Sequence, residues 1–230
     1  MTQEEQEEQE EQVEILRRLQ TIMGAIVIPH GMGLIEVVIP HSVIRIYDYA
    51  FYRCRGLISV KIPNSVITIG DGAFRGCSHL IEVVIPDSVT TIASYAFMRC
   101  TSLTNVVIPD SVITIGLSAF YGCEGLTTVL ISNLVKRISV TAFMGCVSLT
   151  GVMIPDSVIA IDGYAFNGCK GLKSVVIPDS VTAIGGSAFS ECTGLIEVVV
   201  PDHATIGVNA FPACVIVTKS SEVVEIHPLK

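Results

Sequence analysis

The chain has no Trp, and only 16% of its 230 residues are charged. Its apolar half is broken into short pieces. No run approaches the ~18 residues of a bilayer-spanning helix, so the apolar content belongs to a core or to protein contacts, and no membrane insertion is expected. Excess positive charge is missing too. Of the formal charge of −8, residues 1–24 supply −5 through seven Glu and two Arg, which leaves −3 for the other 206 residues. A mildly acidic body offers no electrostatic grip on nucleic acid. The N-terminus is acidic rather than basic-then-apolar, so no secretory signal is read there, and none of the five Asn residues heads an Asn-x-Ser/Thr sequence. The expectation is a cytoplasmic protein, with a cell-surface or secreted one as the alternative if a leader precedes residue 1.

Catalytic signatures are equally scarce. There is no H-E-x-x-H, no C-x-x-C, no G-x-G-x-x-G and no phosphate-cradling G-x-x-x-x-G-K-[ST]. "GLSAF" at 116 and "GGSAF" at 185 resemble a nucleophile elbow, but both end in Phe where that turn demands Gly. The His residues at 30, 41, 79, 203 and 227 occupy unrelated positions. No enzymatic activity and no cofactor are expected.

What the chain has is repetition. Leu recurs at 34, 57, 80, 103, 126, 149, 172 and 195, in steps of 23. All eight Phe residues (51 to 211) and all eight Cys residues (54 to 214) keep the same step, except that the last is 22. One residue is therefore missing between Asp202 and Ile206, and eight repeats fill 34–216. Within a repeat, Val60 and Ile62 alternate with Ser59 and Lys61, the period of a half-buried strand. Pro63 ends ladder pairing, Asn64-Ser65 supplies turn chemistry, and the three-residue spacing of Val66 and Ile69 suits a 3₁₀-like turn. Ala73, Phe74 and Cys77 share a face at i, i+1 and i+4, which predicts a short helical turn. One such unit cannot bury its apolar side alone, but stacked units can.

The unit L-x-x-V-x-I-P-x-S-V-x-x-I-G-x-x-A-F-x-x-C, taken from Leu57 to Cys77, resembles the BspA-like (treponemal-type) leucine-rich repeat. The resemblance implies an α/β leucine-rich repeat solenoid of eight 23-residue turns. Its parallel β-sheet would line the concave side, with short helical or 3₁₀ turns outside. It also implies a binding role, since members are similar to surface adhesins and host-contact proteins.

The ends should be capped, because an open solenoid end exposes core. Residues 1–24 are read as an acidic segment followed by a capping helix over 13–24, with Ile15, Leu16, Leu19, Ile22 and Met23 as its apolar stripe; a dimerising helix is the runner-up. Residues 25–33 make a partial repeat and 217–230 a C-terminal cap or tail.

Three columns could carry function. The Cys column is read as a reduced core ladder rather than a disulfide or metal ladder, because stacked side chains point in parallel. The Asx column (Asn64, Asp87, Asp110, Asn133, Asp156, Asp179, Asp202) is read as turn-forming, since each carboxylate stands alone where hard cations want ~6 oxygens. The third column is Val38, Lys61, Val84, Val107, Leu130, Met153, Val176 and Val199. If Val60 and Ile62 face inward, this column faces outward, yet seven of its eight members are apolar. A contiguous exposed apolar stripe marks an interface more often than strand propensity alone accounts for one. The expected partner-binding site is therefore Val84, Val107, Leu130, Met153 and Val176, with Glu82, Asn105 and Thr128 as a polar rim. The partner is a protein or a second copy of this chain, and an adhesin for host or matrix ligands is the alternative. Repeat five is irregular: Ser132 replaces Pro, Leu134 replaces Ser, and Lys136-Arg137 adds a basic pair. This is read as drift, with a local recognition spot as the other possibility.

Overall fold

The computed structural model describes residues 35–222. The predicted capping helix at 13–24 and the partial repeat at 25–33 lie outside the described residues.

Each coil opens on a three- or four-residue strand. These are β1 (Glu36–Val38), β3 (Ser59–Lys61), β5 (Glu82–Val84), β7 (Asn105–Val107), β9 (Thr128–Leu130), β11 (Gly151–Met153), β13 (Ser174–Val176), β15 (Glu197–Val200) and β17 (Ile216–Lys219). They form one nine-stranded parallel sheet in chain order. Registers such as Val60↔Val83 and Val106↔Val129 set like against like, as the 23-residue step requires. The middle residue of each three-residue strand is buried and its neighbours face out, as alternation predicts.

The interior is a set of columns. Leu57, Phe74 and Cys77 are fully buried, and so are their equivalents in the neighbouring coils. The eight Phe rings stack continuously from Phe51 to Phe211, with centroids 4.9–5.3 Å apart and planes within 10°. The column recurs because each Phe fills the same hole one rung on, at ordinary ring-stacking distance.

The thiols are held by more than burial. Each Sγ from Cys77 to Cys192 donates to the carbonyl of the Phe in the coil before, from Cys77 to Phe51 (3.0 Å) through Cys192 to Phe166 (3.1 Å). That carbonyl also accepts the Cys N–H of its own coil, Cys54 to Phe51 at 3.1 Å, so both its lone pairs are used. Seven thiols are free and buried and Cys214 is exposed, as the core-ladder reading expects. Burial pushes Cys54 up to about 11 and Cys123 up to about 12.

The outer segment corrects the expected helical turn. Among the described residues there is no α-helix, and the one 3₁₀ helix is Ser220–Glu222. A helix would send each N–H back along its own chain. Here they alternate: Ala50, Tyr52 and Cys54 donate three residues back (3.2, 3.0 and 3.1 Å), while Tyr49, Phe51 and Arg53 donate to the next coil (2.8, 2.7 and 2.8 Å). The geometry needs left-handed residues at Tyr49 and Arg53 (φ 58° and 57°), and both positions recur along the array. Ala, Phe and Cys still share a buried face, so their spacing could not tell this string of tight turns from a helix. The 3₁₀ reading of Val66–Ile69 is likewise replaced. Pro63–Val66 closes a tight turn (Val66 N–H to Pro63 carbonyl, 3.1 Å), and Thr68–Ile69 is a two-residue strand.

Those two-residue strands make a second ladder, and it is interrupted. β2 (Arg45–Ile46), β4 (Thr68–Ile69), β6 (Thr91–Ile92) and β8 (Thr114–Ile115) form one sheet. A separate sheet holds β10 (Arg137–Ile138), β12 (Ala160–Ile161), β14 (Ala183–Ile184) and β16 (Thr205–Ile206). The break falls at repeat five. Elsewhere the residue after the short strand donates its N–H to the preceding coil, as Gly116 does to Ile92 (2.8 Å) and Asp162 to Ile138 (2.9 Å). At Ser139 the side-chain Oγ takes that carbonyl instead, bonding Ile115 at 2.6 Å.

Repeat five also repairs itself. In the regular coils a Ser after the Asx turn donates to the preceding coil, Ser88 to the Val66 carbonyl at 2.6 Å and Ser111 to Val89 at 2.7 Å. Leu134 cannot. Ser132, two residues earlier and fully buried, reaches the equivalent Val112 carbonyl at 2.6 Å and accepts the Leu134 N–H at 3.1 Å. The exchange of Pro for Ser and of Ser for Leu is one compensated change rather than drift.

Candidate protein-binding site

The strand period fixes which side chains leave the sheet. Val84, Val107, Leu130, Met153 and Val176 are 64, 57, 55, 73 and 75% exposed, in a molecule that buries the residues between them almost completely. The facing predicted from alternation is the one observed. The registers Val107↔Leu130, Leu130↔Met153 and Met153↔Val176 set four of them side by side on adjacent strands. Lys61 interrupts the column between Val38 and Val84, so the unbroken apolar length lies in the middle of the array.

Val107, Leu130, Met153 and Val176 line one open hollow of about 710 Å³. Its far wall is Pro109, Pro155 and Pro178, with Asp110 and Asn133 at the edge. Sequence reasoning treated those prolines only as strand terminators. Their place two residues beyond each outward side chain was the available signal. Asp110 is more than a turn former: its Oδ1 accepts the Asn133 backbone N–H at 2.9 Å and the Asn133 Nδ2 at 3.2 Å, which pins the wall from one coil to the next.

The rim residues are brought beside the stripe, as expected. Glu82 pairs in register with Asn105, and Asn105 with Thr128. Thr128 Oγ1 donates to Asn105 Oδ1 at 2.7 Å, so part of this rim is held in place before any partner arrives. The Lys136-Arg137 spot is partly accounted for internally, because Arg137 pairs with Asp162 of the next coil.

Among the described residues no group of three His, Cys, Asp or Glu could hold a metal ion, and no helix is long and apolar enough to cross a membrane.

Comparison with known proteins agrees with this architecture. The model of the BspA-type leucine-rich repeat region matches in six copies, over residues 30–150 and 90–218. No curated protein matches the chain. Among solved structures, a leucine-rich repeat protein from Bacteroides ovatus is 28% identical with a TM-score of 0.68, over 81% of this chain and 56% of that one. The leucine-rich repeat protein of T. pallidum is 33% identical with a TM-score of 0.67, over 71% of this chain and 79% of its own. A leucine-rich cell surface protein from Faecalibacterium prausnitzii is 25% identical with a TM-score of 0.50, over 85% of this chain and 64% of its own. The chain thus spans little more than half the length of the B. ovatus protein.

Proposed function

This chain belongs to the BspA-type leucine-rich repeat family, and on that premise we propose that it is a non-catalytic module that binds a protein through the outward face of its nine-stranded sheet. Leucine-rich repeat proteins are in general protein-interaction scaffolds. The observation that carries the finer reading is the in-register stripe Val107–Leu130–Met153–Val176, left more than half exposed although the fold already has its core. Five rungs from Val84 to Val176, at ~4.8 Å each, give a strip of about 20 Å, enough to centre an interface of ~800 Å² per partner. The prolines and the polar rim complete an apolar centre with wet edges. The partner is one that lays an apolar segment along the strip, or a second copy that does so face to face.

A second reading, a cell-surface adhesin, is favoured by the F. prausnitzii relative, which is described as a cell surface protein. The cytoplasmic reading rests on seven free, buried thiols. Cell fractionation separates the two.

The test of the site is Val107→Lys with Leu130→Lys. Sedimentation and partner capture should lose the complex while the melting temperature stays nearly unchanged, because both side chains already face solvent. A double variant that stays folded and keeps every complex would place binding elsewhere and reduce the stripe to strand propensity.

A further inference from the structure

A second hollow, of about 380 Å³, lies over the outer turns of the first three coils, and its chemistry is the opposite of the stripe's. Arg53, Arg55, Arg75, Arg99 and His79 converge on it around Tyr52. Four of the chain's 14 Lys and Arg residues therefore meet at one place in a molecule of net charge −8. None of the four is in an ion pair among the described residues, where the pairs are Arg45–Asp48 and Arg137–Asp162. The guanidiniums are ordered by ring faces instead. Arg53 and Arg75 lie 5.2 and 5.8 Å from the Tyr52 centroid, and Arg75 is 5.7 Å from that of Tyr95. A stacked guanidinium keeps its edge N–H groups for a planar anion. His79 adds a fixed ring: a carbonyl only accepts, so its Nδ1 donates to the Arg55 carbonyl at 2.6 Å.

The backbone favours this arrangement at its own expense. Arg53 and Arg99 have φ of 57° and 59°, in a column where Gly76, Gly122, Gly145 and Gly168 take the same conformation and Glu191 (φ 60°) is the other residue with a side chain. Glycine adopts that conformation freely and arginine does not. The interleaved glycines also make room. A Cβ at Gly76 would meet Arg53 Cγ at 3.2 Å, and one at Gly122 would meet Arg99 Cγ at 3.4 Å. Left-handed residues with side chains recur along the array, but these two arginines are each laid over a glycine of the next coil, which holds their side chains on the outer surface beside the hollow.

We propose that this hollow binds an extended carboxylate-rich peptide, and that its occupant is the chain's own segment 4–14, "EEQEEQEEQVE". That segment holds seven Glu and repeats every three residues. In an extended polyproline-like strand, Glu4, Glu7 and Glu10 recur about 9.3 Å apart along one edge. Arg53 and Arg99 sit two rungs apart, about 9.6 Å at ~4.8 Å per rung. Residues 15–34 connect segment and hollow; with 15–24 helical as expected they still span roughly 48 Å, so reach is no obstacle. Tethering holds the segment at an effective concentration in the millimolar range, which favours it over a free ligand of the same chemistry. The hollow then exchanges its own acidic segment for an acidic stretch of a partner.

The experiment uses the full chain in three forms: unaltered, with all seven of these Glu changed to Gln, and with Arg53→Gln, Arg75→Gln and Arg99→Gln together. The probe is a fluorescent EEQEEQEEQ peptide, read by anisotropy at low and high salt. The Glu→Gln chain should bind the probe about tenfold more tightly than the unaltered chain. Salt should weaken that binding, and the triple Arg variant should not bind while melting as the unaltered chain does. Equal binding by the first two forms would overturn the internal occupant. No binding by the Glu→Gln chain, or binding that survives the Arg changes, would overturn the site. Displacement of the probe by equimolar inorganic phosphate would show a general anion site and overturn the peptide reading. The stripe variant, Val107→Lys with Leu130→Lys, should leave all of these readings unchanged, which separates this proposal from the stripe.

Discussion

The nine-stranded sheet and the ladder of two-residue strands are built from the same coils, yet the first runs unbroken while the second parts between β8 and β10. The difference is local to the corner that follows the short strand of repeat five. Beside the sheet, hydroxyl donors share a carbonyl with the backbone rather than displacing it: Thr104 sends both its N–H (3.1 Å) and its Oγ1 (3.3 Å) to the Ile81 carbonyl. At the ladder's corner, Gly116, Gly185 and Gly207 let neighbouring coils approach so closely that a Cβ would meet backbone at 2.4–2.5 Å. Ala93 and Asp162 carry side chains there and keep their ladder bonds, because methyl and carboxylate donate nothing. Ser139 brings a donor, and the donor takes the carbonyl. A donor alone does not open the ladder, since Thr182 keeps its N–H on the Ile159 carbonyl (2.9 Å) while its Oγ1 shares that acceptor (3.1 Å); at Ser139 the hydroxyl bonds the Ile115 carbonyl at the corner where the two ladders part.

The largest effect should come from the core common to both regions. Phe143→Ala removes a ring stacked between Phe120 and Phe166 and should cost about 3–5 kcal/mol in urea unfolding, as should Phe74→Ala in the regular half. If the parted ladder lets the cavity collapse, Phe143→Ala falls at the low end of that range and Phe74→Ala at the high end. Equal costs would show that the break leaves the core as stiff as elsewhere. Next is Ser132→Ala, which strips a buried carbonyl and a backbone N–H of their shared partner and should cost about 1–3 kcal/mol. Ser132→Pro together with Leu134→Ser should recover most of it by restoring the regular pattern; no recovery would mean the exchange is not compensatory. Smallest is Ser139→Gly, expected within about 0.5 kcal/mol of the unaltered chain. Its readout is hydrogen exchange. The amide of residue 139 should slow as it takes the Ile115 carbonyl, and an unchanged rate would leave the hydroxyl blameless.

The period, the core columns, the facing of the stripe and the missing residue near 204 were all legible in the sequence, because a 23-residue step puts chemically identical side chains on top of one another. Thr205 indeed pairs with Ala183 rather than Thr182. The outer turns were not legible. Ala, Phe and Cys at i, i+1 and i+4 bury the same face whether N–H groups point along the chain or across to the next coil. The thiol-to-Phe bonds were hidden for a related reason, since the acceptor lies 26 residues away and is backbone. The stripe was visible as a column. The basic hollow was not, because Arg53 and Arg99 share a column only at alternate coils, Arg55 and Arg75 lie in others, and the four meet only when three coils are stacked.

The hydrogen bonds between coils run along the direction of stacking, and this has a mechanical meaning. Tension applied to the two ends of the array loads those bonds along their own length, one coil at a time, instead of shearing a whole sheet at once. Twenty-three residues at roughly 3.3–3.6 Å each would then release about 76–83 Å of chain per coil, in steps of nearly equal length. Where β8 and β10 share no ladder, fewer bonds bear the load, and the peeling force dips there. Under strain the array behaves as a zipper of uniform teeth with one weak tooth near its middle.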